Sequence, residues 1–220
     1  MEDVILQRSY TPVIETIDKT DAISDRCLHF LIKTYPDGAV TQYLNKLKVG
    51  STILVSDTQG TFDRSILQHI RHLVVVYAGT GFTPMVKVIK EFLMYAENST
   101  NQSTLTILSF NKSVKDVIWM EHLKSLEIST CERKNVSVNI HYVLSQEVCQ
   151  KQGYHYGRVS TDLLKELLKE RLQKISDPVT LHVNSRLCCI CGPIPFNREA
   201  KHIFETTFDY KTEEIHVFEG

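Results

Sequence analysis

Hydrophobic and polar positions follow two different patterns along the chain. Up to about Ile70 the apolar residues form short runs separated by turn residues, which predicts strands over Val4–Tyr10, Cys27–Lys33 and Thr52–Ser56. A helical period over Val40–Leu47 interrupts these runs. The first region is therefore expected to be mostly antiparallel β-structure.

From Leu73 onward, predicted strands alternate with predicted helices. Leu73–Ala78 is an unbroken apolar run, as expected of a strand that is buried on both faces. Such alternation favours a parallel, doubly wound sheet, and so a division into residues 1–70 and 71–220. The other strands are predicted at Leu105–Phe110, Val136–Leu144, Leu187–Cys191 and Ile215–Phe218, and the helices at Pro84–Ala96, Val117–Leu126, Thr161–Leu172 and Asn197–Thr206.

Composition narrows the class of function. Hydrophobic residues make up 42% and charged residues 23% of the 220 residues, as in soluble globular proteins. With 25 basic and 26 acidic residues the net charge is −1, which argues against a nucleic-acid-binding protein. No apolar run approaches the roughly 20 residues of a membrane-spanning helix. Three of the six cysteines crowd Leu187–Cys191, which favours a reducing compartment and structural packing over a disulfide framework or a metal site.

The most informative motif is Gly79-Thr80-Gly81-Phe82-Thr83-Pro84, which follows the first buried strand directly. Its glycines allow close approach of a ligand, and the helix that follows offers N–H groups to a phosphate. Thr83 suits the N-cap and Pro84 the first helical turn. An ordinary strand-to-helix turn is the alternative, but the position at the first strand–helix junction favours nucleotide binding.

Three further motifs have weaker meanings of their own. In Arg8-Ser9-Tyr10-Thr11-Pro12, a guanidinium for a phosphate and a ring for a flat heterocycle share one strand face, although a surface arginine beside an aromatic residue has the same pattern. Gly38-Ala39-Val40-Thr41-Gln42-Tyr43-Leu44 is a glycine turn that opens a helix and can bind a diphosphate. Cys191-Gly192-Pro193-Ile194-Pro195-Phe196 ends a strand where open α/β sheets bind ligands, although a buried structural cysteine is the alternative.

Taken in this order, the four motifs resemble those of the cytochrome b5 reductases, within the ferredoxin–NADP reductase superfamily. Phe110-Asn111-Lys112 and Asp116-Val117-Ile118-Trp119 add to a resemblance that covers essentially the whole chain. It implies an α/β plus β fold: a partial antiparallel FAD-binding barrel over residues 1–70, and a doubly wound NAD(P)-binding domain over residues 71–220. The implied reaction is hydride transfer from NADPH or NADH to FAD, followed by one-electron transfer to a haem protein such as cytochrome b5.

The resemblance also implies the site residues. Tyr10, Thr83 and Cys191 are expected at the junction of flavin and nicotinamide, as the catalytic set. The cofactor-binding residues are expected to be Arg8, Ser9, Tyr10, Thr11, Leu31, Lys33, Gly38, Val40, Thr41, Gly79, Thr80, Gly81, Thr83, Pro84, Asn111, Lys112, Ser145, Cys191, Gly192, Pro193 and Phe196.

Ser145 bears on the choice of coenzyme. It stands where the NADH-selective relatives carry an aspartate, which would bond the ribose 2′-hydroxyl and repel a 2′-phosphate. Lys112 and Lys115 add attraction for that phosphate. NADPH is therefore expected to be accepted alongside NADH.

One departure from the family pattern leaves a second function open. In the family, several strands of the barrel precede the Arg-x-Tyr motif. Three short strands with turns need roughly 30–50 residues, whereas only seven residues precede Arg8 in this sequence. The alternative is a truncated, non-catalytic NADP(H)-binding fragment that does not retain FAD. The resemblance further implies a cytochrome b5-type haem domain as partner, fused in the full-length protein, and a cytoplasmic location associated with the endoplasmic reticulum. No nucleic acid, metal or transmembrane segment is expected.

Overall fold

The structure, a computed structural model, describes residues 7–13, 27–57, 59–130, 135–169 and 185–219. Two short strands in its first part form a small antiparallel sheet. In this sheet, β1 (Pro12–Val13) pairs with β2 (His29–Phe30). Helix α1 (Ala39–Lys46) follows β2 and starts after Gly38. Within residues 7–13 and 27–57, Val13 is the one buried side chain. This part of the structure therefore has almost no core of its own.

A six-stranded parallel sheet forms the larger part. Its elements in chain order are β3 (His72–Ala78), α2 (Phe82–Glu97), β4 (Ser103–Asn111), α3 (Met120–Thr130), β5 (Val136–Leu144), β6 (Tyr154–Tyr156), α4 (Thr161–Leu167), β7 (Arg186–Cys191), α5 (Ile194–Thr207) and β8 (Ile215–Phe218). The spatial order is β6-β5-β4-β3-β7-β8, so the chain runs outward from β3 and later returns to its other side. The predicted fold class, α/β plus β, is confirmed.

Strand β3 explains why the sheet carries helices on both faces. Its side chains alternate between two cores: Leu73, Val75 and Tyr77 pack with α2 and α3, while Val74 and Val76 pack with α4 and α5. All five are essentially buried, so the run has no polar face to expose to water. Val13 of β1 joins the first core and ties the small sheet to the large one.

The strands predicted before Ile70 are mostly wrong. Only residues 7–10 of the Val4–Tyr10 prediction lie within the described ranges, and they form no strand. Cys27–Lys33 contracts to β2, and Thr52–Ser56 forms no strand. A strand needs a partner for its backbone N–H and C=O groups, and an apolar run does not provide one. Leu54, in the middle of that run, is fully exposed.

The predicted elements after Leu73 are present, with shifted ends. Helix α2 begins at Phe82, because a 3-10 turn over Gly79–Gly81 leads straight into it, and the prediction of Thr83 as N-cap is therefore wrong. Helix α5 begins at Ile194, since Pro193 caps it and Pro195 fits its first turn. The described part of α4 ends at Leu167, and residues 170–172 of that prediction lie outside the described ranges.

Two features were missed or misplaced for local reasons. Helix α3 begins at Met120 instead of Val117, because Trp119 has a left-handed backbone (φ +53°) that a helix cannot include. Strand β6 has only three residues, too few for a recognisable alternation. Across the described parts of the chain, no helix is both long and apolar enough for a bilayer.

An ion pair fastens the edge of the sheet at which the strands begin. Arg186, the first residue of β7, donates from Nε to Glu214 Oε1 (2.9 Å) and from Nη2 to Glu214 Oε2 (2.8 Å). Its guanidinium lies 4.3 Å from the ring centre of Tyr210, and the Lys211 N–H also donates to Glu214. Burial disfavours the charged carboxylate, but these hydrogen bonds outweigh it and lower the pKa of Glu214.

Replacing Glu214 with glutamine is expected to reduce the free energy of unfolding by about 1–3 kcal/mol at pH 7, since the part-buried guanidinium loses its charged acceptor. The lowered pKa means that the Glu214 contribution is complete above the pKa of the unfolded chain, about 4.3, and is lost as pH falls through the folded-state value. Denaturant unfolding between pH 3 and pH 7 should show that the free energy of unfolding falls less steeply with decreasing pH in the variant than in the wild type. Glu213→Gln, at an exposed neighbour, is the matched control, and equal losses in both variants would contradict this account.

Candidate functional site

Two motifs meet where the chain reverses its direction across the sheet. β3 lies between β4 and β7, and the Gly79–Gly81 turn follows β3 while Cys191 ends β7. A Cβ built on Gly81 would overlap the carbonyl oxygen of Cys191, and would lie 2.6 Å from its carbonyl carbon and 3.1 Å from the Gly192 nitrogen. The two turns thus touch backbone to backbone. Open α/β sheets bind their ligands at such a switch point, beyond the carboxyl ends of the strands.

The glycines of this site act in two ways. Gly79 has φ +54°, a conformation that glycine adopts without strain, whereas Gly81 has an ordinary helical φ of −59°. Glycine is therefore required at position 81 only because a side chain has no space there. Gly192 is also confined, because a Cβ there would lie 2.6 Å from the Phe196 ring and 3.0 Å from the Ala78 Cβ.

Thr83 and Pro84 lie in the first turn of α2, and both are buried. The Thr83 hydroxyl donates to the Thr80 carbonyl (3.1 Å), so its proton is used inside the turn. The backbone N–H groups of a first helical turn have no acceptor within the helix. Here the Phe82 N–H already donates to the Gly79 and Thr80 carbonyls and Pro84 has no N–H, so the Gly79–Gly81 turn and the start of α2 form a cradle with fewer donors than an ordinary helix start.

Cys191 is 8% exposed, and burial raises the pKa of its thiol to about 11. At neutral pH the side chain is therefore a neutral thiol with the packing properties of a small apolar group. It stands in register with Tyr77 on β3 and Phe218 on β8. Cys189, two residues earlier, is fully buried in the same core.

The residues predicted at the ends of β4 and β5 lie side by side. The Ser145 N–H donates to the Asn111 carbonyl (3.0 Å), and the Gln146 N–H donates to the Lys112 carbonyl (2.9 Å). The Asn111 amide nitrogen donates to Ser109 Oγ (2.9 Å), whereas its Oδ1 is buried and has no partner in the structure. A buried acceptor left in this way at a ligand-binding edge is suited to a donor from a ligand.

The motif Arg8-Ser9-Tyr10-Thr11-Pro12 leads into β1. Arg8, Ser9 and Thr11 are exposed and Tyr10 is half-buried. Arg8 Nη1 donates to the carbonyl of its neighbour Gln7 (2.8 Å), so this contact does not join it to another predicted site residue. The segment thus presents a cation and an aromatic ring toward the surface.

The glycine motif at α1 forms a self-contained turn. Thr41 Oγ1 donates to the Gly38 carbonyl (3.1 Å) and accepts from the Tyr35 N–H (3.3 Å), while Val40 is half-buried. A Cβ on Gly38 would overlap Thr41 Oγ1, so glycine is needed for this packing. The first-turn N–H groups, rather than the Thr41 hydroxyl, are what α1 offers an anion.

Lys33 and Leu31 link the small sheet to the large one. Leu31 packs against the core that holds α2. Lys33 Nζ lies 3.2 Å from Asp116 Oδ1, and the Ser113 hydroxyl donates to the other carboxylate oxygen (2.7 Å). The Ser113 hydrogen bond is the main reason that the pKa of Asp116 is lowered. Lys33 was predicted as a cofactor contact, and its pairing with Asp116 had no signal in the sequence.

Comparison with known proteins assigns both parts of the chain to oxidoreductase domains. A family model described as "Oxidoreductase NAD-binding domain" matches residues 75–202, and one described as "Oxidoreductase FAD-binding domain" matches residues 2–63. Cytochrome b5 reductase 4 of Homo sapiens is 31% identical over 215 residues, and that of Rattus norvegicus is 34% identical over 216 residues. Each alignment covers 96% of this chain and 38% of the relative, so the chain spans about two fifths of their length.

A solved structure shows the same likeness. The CS-b5R domains of human Ncb5or, in an NAD+ form, match with a TM-score of 0.73 and 31% identity. The alignment covers 96% of this chain and 55% of that one. The family models, the curated relatives and this structure all indicate FAD- and NAD-binding oxidoreductases. The chain belongs to the family of oxidoreductases that carry this NAD-binding domain; an FAD-binding domain match precedes it in the sequence, and the relatives to which it is similar are cytochrome b5 reductases.

Proposed function

We propose that this chain carries the reductase activity of its family: an FAD-dependent oxidoreductase that takes a hydride from NADPH or NADH and passes electrons singly to a haem protein. The observation that carries the proposal is the backbone contact between Gly81 and Cys191 at the switch point of the parallel sheet. This contact brings the Gly79–Gly81 turn, which is the predicted pyrophosphate site, and the turn that follows Cys191 to the same edge of the parallel sheet. The predicted sites for phosphate and for nicotinamide are then adjacent.

The residues at this edge fit a dinucleotide. Gly79, Thr80 and Gly81 offer the close backbone approach that a pyrophosphate requires, at the positive end of the α2 dipole. The buried, unpartnered Asn111 Oδ1 is an acceptor ready for a ligand donor. Gly192, Pro193 and Phe196 would form the wall of the site beside Cys191. Cys191 and Thr83 would bound the nicotinamide, the first by packing and the second by holding the turn.

The first region fits a flavin by the chemistry of its groups. The Arg8 guanidinium and the first-turn N–H groups of α1 suit a diphosphate, and Tyr10 suits a flat ring. Ser9, Thr11, Leu31 and Lys33 would line the path between them. When bound, the isoalloxazine would supply the redox chemistry, by accepting a hydride and releasing single electrons. The chain's own residues would orient the two rings and exclude water.

The environment of Cys191 gives a prediction that distinguishes packing from reactivity. Iodoacetamide at pH 8 is expected to modify Cys27, which is exposed, at least about 100-fold faster than Cys191, because a thiol of pKa about 11 is roughly one-thousandth ionised there. Mass spectrometry of the peptides from a time course measures both rates in one sample. Comparable rates at the two cysteines would contradict a neutral, packed Cys191.

The end of β5 supports acceptance of NADPH alongside NADH. Ser145 is half-buried and its backbone is fixed to that of Asn111, so its hydroxyl stays at the edge where an adenosine ribose would lie. Lys112 and Lys115 are exposed on the neighbouring turn and add positive charge there. Glu147, two residues on, accepts from the Val114 N–H (2.8 Å), which holds its carboxylate on that turn.

The proposed partner is a cytochrome b5-type haem domain, fused to the reductase in the full-length protein. The curated relatives carry cytochrome b5 reductase in their names, and they are more than twice as long as the aligned region. The proposed location is the cytoplasm, in association with the endoplasmic reticulum.

A second candidate function is a non-catalytic NADP(H)-binding protein that does not retain FAD. The observation that favours it is the exposure of residues 27–57, none of which is buried. A flavin held by such a region has few buried apolar contacts around it. The edge of the parallel sheet where the dinucleotide would bind, in contrast, belongs to a sheet with a hydrophobic core on each face.

Steady-state kinetics separate the two functions. The full chain, supplied with FAD, is expected to oxidise NADPH with ferricyanide as acceptor and to reduce an added cytochrome b5 haem domain. Omission of the haem domain and the acceptor is the blank. NADP+ binding by calorimetry without any oxidation of NADPH would instead support the non-catalytic function.

A further inference from the structure

Trp119 adopts a backbone conformation that is costly for a bulky residue. Its φ is +53°, and among the described non-glycine residues only Asp209 shares a positive φ. A left-handed backbone is unfavourable for an L-residue with a large side chain, so it persists only where the surroundings enforce it. The contacts of the indole indicate what this conformation achieves.

The indole packs on the first residue of the helix that follows the glycine turn. The Trp119 and Phe82 ring centres are 5.9 Å apart at 78°, an edge-to-face geometry. Phe82 is fully buried, follows Gly81 directly and packs in turn against Tyr77 of β3 at 5.1 Å. Trp119 therefore supports the point at which the turn becomes helix α2.

The segment that carries Trp119 is itself held from two sides. The Lys33 ammonium pairs with Asp116 from the first region, and the Ser113 hydroxyl donates to the same carboxylate. The Glu147 carboxylate accepts from the Val114 N–H from the end of β5. A side chain can fix its neighbour only if its own backbone is fixed, and these bonds meet that condition.

We propose that Trp119 is a positioning residue for the dinucleotide: its indole holds Phe82, and so keeps the Gly79–Gly81 turn and the start of α2 in place beside the pyrophosphate. This inference rests on the proposed function of the same site. An edge-to-face ring pair has a free energy that corresponds to an affinity factor of about 3–10. Loss of the ring should weaken dinucleotide binding by that factor.

The test is the Kd of NADP+ for the full chain, measured by calorimetry without relying on turnover. Trp119→Leu is expected to raise Kd about 3–10-fold, and Trp119→Phe, which keeps a ring against Phe82, to stay within about 2-fold of the wild type. Glu214→Gln is the matched control, because it loosens the opposite edge of the sheet and should leave Kd unchanged. An effect through general loss of stability would instead raise Kd in both Trp119→Leu and Glu214→Gln.

Unchanged Kd in Trp119→Leu, or an equal rise in Glu214→Gln, would overturn the inference. If Trp119→Leu does not fold, Asp116→Asn takes its place, since it loosens the segment at a half-buried position that is outside the cores and should raise Kd about 2–3-fold. Unchanged Kd in that variant would overturn the inference as well. A wild-type chain that binds no NADP+ would refute the proposed function and this inference together, whereas binding that is insensitive to Trp119 would refute only the latter.

Discussion

Replacing Gly81 with alanine is expected to weaken NADP+ binding at least about 30-fold, or about 2 kcal/mol. The added methyl group would overlap the Cys191 carbonyl oxygen and lie 2.6 Å from its carbon, and these are backbone atoms that no side-chain rotation can move. Since φ at Gly81 is −59°, alanine can adopt its backbone, and the whole effect is steric. The glycine turn and the cysteine turn must then separate, and the dinucleotide cradle opens. Calorimetric titration with NADP+ measures the loss.

Gly60→Ala is the matched control for this experiment. A Cβ at Gly60 would have no atom within 4 Å. The free energy of unfolding of the Gly60→Ala variant should therefore be close to that of the wild type, and its Kd for NADP+ should stay within about 2-fold. If Gly81→Ala bound NADP+ as tightly as Gly60→Ala, the two turns would not form one site.

Replacing Ser145 with aspartate is expected to shift the coenzyme preference toward NADH. A carboxylate at the end of β5 would accept from the ribose 2′-hydroxyl of NADH and repel the 2′-phosphate of NADPH. The KM for NADPH should rise about 10–100-fold while the KM for NADH falls or stays unchanged, as measured by ferricyanide reduction with each coenzyme.

Ser145→Asn separates charge from shape in that experiment. Asparagine has nearly the size of aspartate without the charge, so it should change the NADPH KM less than about 3-fold. An NADPH KM that is the same in Ser145→Asp and in the wild type would place the 2′-phosphate away from this edge and leave the roles of Lys112 and Ser145 without support.

The parallel sheet was readable from the sequence because burial on both faces leaves a strong signal. The run Leu73–Ala78 has no charged or strongly polar position, and the structure buries its first five residues in two cores. The glycine turn was equally visible, since its place after this strand follows from the element order. The contact of Gly81 with Cys191 was not, because it joins residues 110 positions apart and depends on the strand order.

The first region shows why the other predictions failed. Thr52–Ser56 has the composition of a strand, but strand formation depends on a partner that local sequence does not specify. Trp119 shows a second limit, since a left-handed residue is enforced by tertiary contacts and has no local signature unless it is glycine or asparagine. The pairing of Lys33 with Asp116 spans 83 residues and has the same origin.

The decisive measurement is an absorbance spectrum of the full chain purified with FAD, recorded before and after anaerobic addition of NADPH. The proposed reductase predicts oxidised-flavin bands that stay with the protein through gel filtration and bleach when NADPH is added, because bound flavin accepts the hydride. Flavin that separates from the protein on the column, or bands that NADPH leaves unchanged, would contradict it.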